Sequence, residues 1–253
     1  MTLKIITDSA CDLPDAIIKE YDIDVLPFLI YIDDVEHRDG IDITTKQVYD
    51  AIRQDKTPTT GQVPMGEIIG TIRKYAEQNR DCLYLSFSSK LSGTCNTVRL
   101  VAQEVMNAFK DFQFTVVDTL SGSLAQGLIV LEAAQSVKAG FAPAAIIERA
   151  QRRSQDNVEH VFSVDDLNYL YRGGRVSYAS SFLGGLLQVK PILHVRNGLM
   201  IPFQKVRGKK MAIKRIVDLV RERSLGDPNQ IIGITHADDP SAAEELRSLL
   251  EDT

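Results

Sequence analysis

The 253-residue sequence has no long apolar run, few cysteines and no surplus of positive charge. No stretch approaches the roughly 20 apolar residues of a membrane-spanning helix, and residues 1–6 are too short for a signal peptide. We therefore expect a cytoplasmic chain without a transmembrane segment. Its three cysteines lack paired metal-ligand spacing and are expected to be reduced and mostly buried. The net charge of −5 disfavours nucleic acid as the main partner.

The signatures of several common catalytic sites are also missing. The sequence contains no G-x-G-x-x-G, P-loop, H-E-x-x-H or G-x-S-x-G motif, and no serine is followed by a lysine three residues later. Its four histidines are scattered, and we predict no metal site. The remaining polar signal is a set of hydroxyl-rich loops without an evident general base, which favours binding over turnover.

Alternating strand and helix patterns predict a mostly parallel sheet with flanking helices in residues 1–155. An exposed turn is predicted at 33–40 and a hydroxyl-rich loop at 57–64. The predicted strands are 3–7, 25–32, 82–87 and 114–117, and the predicted helices include 45–54, 65–76, 121–138 and 145–154.

Residues 156–253 are predicted to form a second α/β domain with an antiparallel or mixed sheet, joined to the first domain at 153–157. Asn197-Gly198 is a strong hairpin signal between strands at 190–196 and 199–204. Further strands are predicted at 158–164 and 231–235, with helices at 167–170, 180–188 and 242–250 and a helix ending near 223. The strand at 231–235 would normally be followed by a return strand, so the last strand is either missing or replaced by the terminal helix.

The segment 88–94 joins a short apolar run to a helix with one apolar stripe. Ser92 or Gly93 is therefore expected near the N-cap of that helix. The free N–H groups of the first turn can hold an anion, but a serine in this place can equally be a simple cap. Asp8-Ser9 and 118–123 follow other predicted strands, so these polar loops are expected at the same sheet edge, where ligands collect.

Six motifs, in this order, resemble the DegV family. They occupy residues 8–14, 88–94, 162–167, 172–175, 186–193 and 206–210. The resemblance implies a bacterial protein of two α/β domains that binds one long-chain fatty acid, buried between the domains. It also implies a fatty acid kinase as partner, which phosphorylates the presented carboxylate for phospholipid synthesis. The chain would then be a monomeric carrier and not an enzyme, with no cofactor besides the bound acid.

The matching motifs imply the contacts of the fatty acid. Ser92 would receive the carboxylate through its hydroxyl, together with the backbone of Gly93, and Thr60, next to Gly61, would be its partner. The residues implied to face the kinase are Arg172, Arg175 and Arg207. By spacing alone, the first two arginines could equally be solvated side chains on a glycine turn. The candidates for tunnel lining, all equally compatible with a plain core, are Phe28, Phe87, Phe162, Leu183, Leu186, Leu187 and Ile192.

The chain departs from the family pattern in two places. The family's Thr-Ser-Gln-Pro segment is Thr60-Gly61-Gln62-Val63 here, so one hydroxyl contact is lost. The family's C-terminal His-Thr-Gly-Pro-Gly segment is absent before the chain ends at Thr253. Either the sequence is truncated or the site lacks that histidine, and His236 stands in a different motif.

Two other functions remain open at this stage. A serine-dependent hydrolase or a phosphotransferase component could use Ser92 or Ser123, provided that a base lies within hydrogen-bond reach. A small-molecule sensor could use the same cleft without a partner kinase.

Overall fold

The computed structural model describes residues 3–156, 158–176, 189–226 and 230–251, which fall into two compact units. The boundary between the units follows Val158. In the first unit the strands are β1 (Lys4–Asp8), β2 (Asp24–Leu26), β3 (Leu29–Ile32), β4 (Val35–Arg38), β5 (Thr59–Gly61), β6 (Cys82–Ser86) and β7 (Phe114–Asp118). Its helices are a 3-10 turn (Ser9–Cys11), α1 (Asp15–Glu20), α2 (Thr45–Arg53), α3 (Met65–Glu77), α4 (Thr94–Ala108), α5 (Ser123–Lys138) and α6 (Pro143–Asp156).

A four-stranded parallel sheet in the order β2-β1-β6-β7 forms the centre of the first unit. Strands β1 and β6 are buried along their whole length. Alternate side chains serve opposite faces: Ile6 and Tyr84 join a cluster with α3 and α4, whereas Ile5 and Leu85 join a cluster with α5 and α6. A sheet covered on both faces explains the near-continuous apolar strands and confirms the predicted parallel α/β architecture.

A second, antiparallel sheet in the order β4-β3-β5 was not predicted. The single strand predicted at 25–32 is wrong, because the chain leaves β2 at Pro27 and starts β3 in the other sheet. Pro27 has no N–H to donate, and the N–H of Phe28 donates to Ser9 Oγ at 3.1 Å instead of to a neighbouring strand.

The predicted turn at 33–40 and loop at 57–64 are also corrected. Asp33 and Asp34 alone form the turn, at φ 51° and 63°, and their positive φ values suit a tight two-residue hairpin. The residues that follow become β4, and Thr59–Gly61 becomes β5, paired with β3. Because these edge strands are polar, the apolar pattern of the sequence did not indicate them.

The second unit is built on a three-stranded antiparallel sheet. Its elements are β8 (Val161–Ser163), α7 (Asn168–Arg172), β9 (Val189–Arg196), β10 (Leu199–Arg207), α8 (Lys209–Arg223) and α9 (Pro240–Glu251). The sheet order is β10-β9-β8, and the predicted Asn197-Gly198 hairpin is confirmed, with both residues at positive φ. The core places Ile192 and Leu193 on opposite faces of β9, with Ile192 against α8.

The strand predicted at 231–235 is wrong, since no regular element covers these residues in the described structure. Ile231 and Ile232 are 63% and 48% exposed. An apolar run forms a strand only when another strand satisfies its backbone groups, and no described strand pairs with this one. The helix predicted at 180–188 lies outside the described residues.

Candidate functional site

Three polar loops meet at the carboxyl edge of the parallel sheet, as predicted. They follow β1, β6 and β7, which are neighbours in the sheet. Backbone hydrogen bonds tie the loops together: Ser88 N–H donates to the Ser121 carbonyl at 2.9 Å, and Thr119 N–H donates to the Ser86 carbonyl at 3.1 Å. These two bonds hold the loop after β6, which carries Ser92, to the loop after β7.

Asp8, at the end of β1, anchors the first residue of this loop. Its carboxylate is fully buried and accepts hydrogen bonds from Phe87 N–H at 2.9 Å, Tyr84 OH at 2.9 Å and Gln126 Nε2 at 3.0 Å. Burial raises the pKa of Asp8 from 3.8 to about 6, although these donors favour the charged form. The anchor is thus a carboxylate whose ionisation costs free energy in the folded state.

Hydrogen bonds also hold the rest of the loop in place. Asp118, at the end of β7, accepts Ser89 N–H at 3.2 Å and Leu120 N–H at 3.1 Å. The Ser88 carbonyl accepts the N–H groups of Leu91 and Ser92 at 3.0 and 3.1 Å. With its backbone fixed in this way, the loop presents Ser92 in one place at the start of α4.

Ser92 lies just before the N-terminus of α4, where a side-chain oxygen normally caps the helix. The N-cap residue is Gly93, which has no side chain to do so, as the sequence predicted for this join. The Ser92 hydroxyl is half-buried and accepts Thr94 N–H at 3.3 Å; its oxygen lies 3.1 Å from Thr94 Oγ1. The positive end of a 15-residue helix therefore faces this hydroxyl.

The segment that carries Thr60 packs directly against the start of α4. Val63 N–H donates to Thr94 Oγ1 at 3.3 Å, and Gln62 Oε1 accepts the Thr97 hydroxyl at 3.1 Å. A Cβ on Gly93 would lie 2.5 Å from Gln62 Nε2, so glycine allows this close approach. The structure thus brings the two predicted head-group loops together, through Gln62 and Val63. Thr60 itself is exposed on β5.

Gly61, the departure from the family motif, has a steric explanation. A Cβ at this position would lie 2.9 Å from Cε2 of Tyr31 and 3.2 Å from the Leu29 Cβ. A serine at position 61 would therefore require the partly exposed ring of Tyr31 on β3 to move.

The structure places the apolar candidates in different surroundings. Phe28 and Phe87 meet edge to face, with ring centroids 5.8 Å apart, and the ring of Phe87 covers Gly122. Phe162 packs partly buried against the core of the second unit, and Ile192 is fully buried there. Their role as tunnel lining stays a prediction. The other three candidates, Leu183, Leu186 and Leu187, lie outside the described residues.

The basic candidates lie at the surface of the second unit. Arg172 ends α7, and Gly173-Gly174 forms the predicted turn, with Gly174 at φ 70°. Arg172 and Arg175 are exposed, and Arg175 donates to the Gly173 carbonyl. Arg207 is exposed at the end of β10. Their docking role remains a prediction.

The two candidate nucleophiles, Ser92 and Ser123, have different hydrogen-bond partners. Within the described ranges, no His, Lys, Asp or Glu side chain hydrogen-bonds to Ser92, whose partner is Thr94. Ser123 donates to Asp12 Oδ2 at 2.5 Å, and burial raises the pKa of that carboxyl. The base that an enzyme using Ser92 would need is therefore not supplied by a described hydrogen-bonding neighbour.

Other kinds of site find little support in the described part of the chain. It contains no cluster of three or more His, Cys, Asp or Glu side chains suited to a metal ion. None of its helices is both long and apolar enough to span a bilayer. The three cysteines are buried and unpaired, as predicted. A cleft of about 470 Å³ between α2 and the β3–β4 hairpin is lined by none of the predicted site residues.

Sequence reasoning missed the residues that support Ser92. Asp8 stood in a quoted motif at a predicted strand end, which is a usable signal. Thr94 and Gln62 also lay inside or next to quoted motifs, but their contacts were not foreseen. Gln126 had no local signal, because it reaches Asp8 from 118 residues away in sequence.

Comparison with known proteins agrees with this architecture. The family model described as "Uncharacterised protein, DegV family" matches residues 2–253. A DegV domain-containing protein from Clostridium perfringens is 35% identical over 251 residues, covering 98% of this chain and 86% of that protein. A fatty acid-binding protein from Thermotoga maritima is 34% identical over 258 residues, covering 99% of this chain and 87% of that protein.

Solved structures give the same result. A DegV family protein from Thermus thermophilus, described as binding fatty acid, superposes with a TM-score of 0.80 at 32% identity, covering 89% of this chain and 79% of that one. A fatty acid binding DegV family protein from Streptococcus agalactiae reaches a TM-score of 0.87 at 30% identity, covering 100% and 88%. Together with the family match over nearly every residue, these likenesses show that the chain belongs to the DegV family.

Proposed function

We propose that this protein binds one long-chain fatty acid in a buried tunnel and presents its carboxylate to a fatty acid kinase. The observation that carries the proposal is the junction of the Thr60 and Ser92 loops at the start of α4. It supplies a half-buried hydroxyl and a helix N-terminus, and Gly93 allows Gln62 to pack closely beside them. These are uncharged donors suited to a carboxylate. The solved relatives described as fatty-acid-binding proteins support the ligand class.

The tail and the head group of such a ligand contribute differently to the free energy of binding. Burying about fifteen methylenes at roughly 0.8 kcal/mol each gives a gross gain on the order of 12 kcal/mol, before the costs of association and chain ordering. A buried carboxylate without partners would cancel much of that gain. The tail would therefore supply affinity, and the donors at the start of α4 would make burial of the head group tolerable.

The head-group assignment is tested by changing Ser92→Ala. A hydrogen bond to a charged group is worth roughly 1.5–3 kcal/mol, so the dissociation constant for palmitate should rise about tenfold or more. Ser136→Ala is the matched control, since that hydroxyl donates to the Glu132 carbonyl within α5. Titration with a fluorescent fatty acid measures both variants. Unchanged affinity of the Ser92 variant would reject the assignment.

The partner surface is proposed to include Arg172 and Arg175, with Arg207 as a further candidate. Exposed arginines form charge-assisted bonds with acidic side chains of a partner and are enriched at energetic hot spots. Arg172→Ala and Arg175→Ala should slow phosphorylation of the bound acid by the kinase without changing fatty-acid affinity. Arg73→Ala, on the exposed side of α3, is the control. Equal rates for all variants would mean that the basic turn has only a structural role. A monomeric, cytoplasmic carrier completes the proposal.

A further inference from the structure

Two hydroxyl groups at the start of α4 share one hydrogen bond. Ser92 Oγ and Thr94 Oγ1 lie 3.1 Å apart, and geometry alone allows either to be the donor. Only one hydrogen can lie between the two oxygens. The direction of this bond decides whether the hydrogen of Ser92 is directed at Thr94 or is available to a ligand.

Each oxygen already accepts a backbone N–H. Thr94 N–H donates to Ser92 Oγ at 3.3 Å, and Val63 N–H donates to Thr94 Oγ1 at 3.3 Å. A hydroxyl has one hydrogen and two lone pairs. Thr94 therefore retains one hydrogen that needs an acceptor, and Ser92 retains one lone pair that can accept it.

Burial selects the direction. Thr94 is 0% exposed, and over the described ranges Ser92 Oγ is the only acceptor within reach of its hydroxyl. A buried hydroxyl hydrogen without an acceptor is costly. Ser92 is half-buried, so its hydrogen can reach a ligand or water. Both groups are satisfied only when Thr94 donates to Ser92.

We infer that Thr94 is a positioning residue, which fixes the Ser92 hydroxyl as an outward donor to the carboxylate of the ligand. The inference rests on the proposed function. Both lone pairs of Ser92 are filled from Thr94, so the serine can only donate, and it selects a ligand that accepts. Because Thr94 also holds Val63, the same hydroxyl fixes the segment that carries Thr60 against the helix. Thr94 thus couples the two halves of the head-group site.

The test is a double-mutant cycle with Thr94→Val and Ser92→Ala. Valine keeps the shape of threonine and removes its hydroxyl. We expect Thr94→Val alone to weaken palmitate binding about tenfold, and to weaken it by a clearly smaller factor when Ser92→Ala is already present, the remainder being the part that acts through Val63. Thr94→Ser should restore wild-type affinity. Binding of the matched fatty alcohol, which has no anionic head group, should change much less than binding of palmitate.

The possible outcomes separate the inference from the function on which it rests. Independent, additive losses in the cycle, or equal losses of affinity for palmitate and the alcohol, would overturn the inference about Thr94 but not the proposed function. Failure of the wild-type chain to bind any fatty acid would overturn the proposed function and the inference with it. Thermal unfolding identifies a variant that does not fold. In that case Thr94→Cys, which keeps a side chain of similar size and only a weak donor, replaces valine in the same cycle.

Discussion

Asp8 is both an ionisable group buried in the first unit and a structural anchor. Its carboxylate holds Phe87 N–H, and so the loop that leads to Ser92, yet it is fully removed from water. Because its pKa is raised from 3.8 to about 6, the folded state binds the proton more tightly than the unfolded state does. Its contribution to stability is therefore complete below pH 3.8 and is lost as the pH rises through about 6.

Asp8→Asn should remove this pH dependence. Asparagine cannot ionise, so the free energy of unfolding of the wild type should fall relative to that of the variant by on the order of 2 kcal/mol as the pH rises from 4 to 6. To accept the new amide through its unpartnered Oε1, Gln126 would have to flip and give up its bonds to Thr7 and Leu85, a cost that does not vary with pH. Urea unfolding over this pH range measures the difference, with the exposed Asp111→Asn as control. A difference between variant and wild type that does not vary with pH would contradict the account.

The join at Ser92 and Gly93 was predictable, since hydroxyl and glycine residues at a strand-to-helix step have a local signature. The groups that fix it were not. Asp118 reaches the loop from the neighbouring strand, and Gln126 supports Asp8 from α5. Such contacts depend on the sheet order, which a single sequence leaves open. The close approach of Tyr31 to Gly61 is a contact of the same kind.

Helix α5 packs so closely on the 3-10 turn after β1 that one of its residues must be glycine. A Cβ on Gly127 would lie 2.4 Å from the Cys11 carbonyl oxygen, a backbone atom that cannot rotate away. Gly70 in α3 has nothing within 4 Å of its corresponding position. Substitution by alanine is therefore expected to have opposite effects on stability at the two helical glycines.

Gly127→Ala should lower the free energy of unfolding by about 2 kcal/mol, through overpacking against the Cys11 carbonyl of the 3-10 turn. Gly70→Ala should raise it by about 0.5–1 kcal/mol, because alanine is the better helix former at an open position. Chemical denaturation of both variants provides the comparison. Changes of the same sign would mean that helix propensity, and not the contact with Cys11, determines the effect of Gly127→Ala on the free energy of unfolding.

At the level of elements, the long and periodic ones were predictable and the short edge strands were not. Helices α3 to α5 and strands β1, β6 and β7 follow apolar patterns that determine their type. Strands β4 and β5 are polar and three or four residues long, so they are recognisable only from their pairing with β3. The split between β2 and β3 depends on Pro27, a single proline in a run of apolar residues that otherwise favours one continuous strand.

At the scale of the whole molecule, each unit holds a buried group whose titration affects stability, and the two groups act with opposite sign. In the second unit, His160 lies beside Phe162, and burial lowers the pKa of its imidazole from 6.5 to about 4. Burial also lowers the pKa of His194. A depressed histidine pKa contributes stability above pH 6.5 that is lost as the pH falls through 4. Asp8 in the first unit has the reverse sign.

Lowering the pH from 6.5 to 4 should therefore destabilise the second unit by on the order of 3 kcal/mol through His160. Hydrogen exchange measured by mass spectrometry should show protection lost in β8 and β9 before β1 and β6. His160→Phe keeps the aromatic packing, cannot be protonated, and should delay this loss to lower pH. Simultaneous loss of protection in both units, or no effect of the substitution, would contradict the assignment.

The central claim is that the donors at the start of α4 serve a fatty acid. Its most direct test is mass spectrometry of the purified protein under denaturing conditions, before and after incubation with palmitate. The account predicts one C14 to C18 fatty acid released per chain, with less retained by Ser92→Ala than by the wild type. Protein that contains no lipid and takes up no added fatty acid would contradict it.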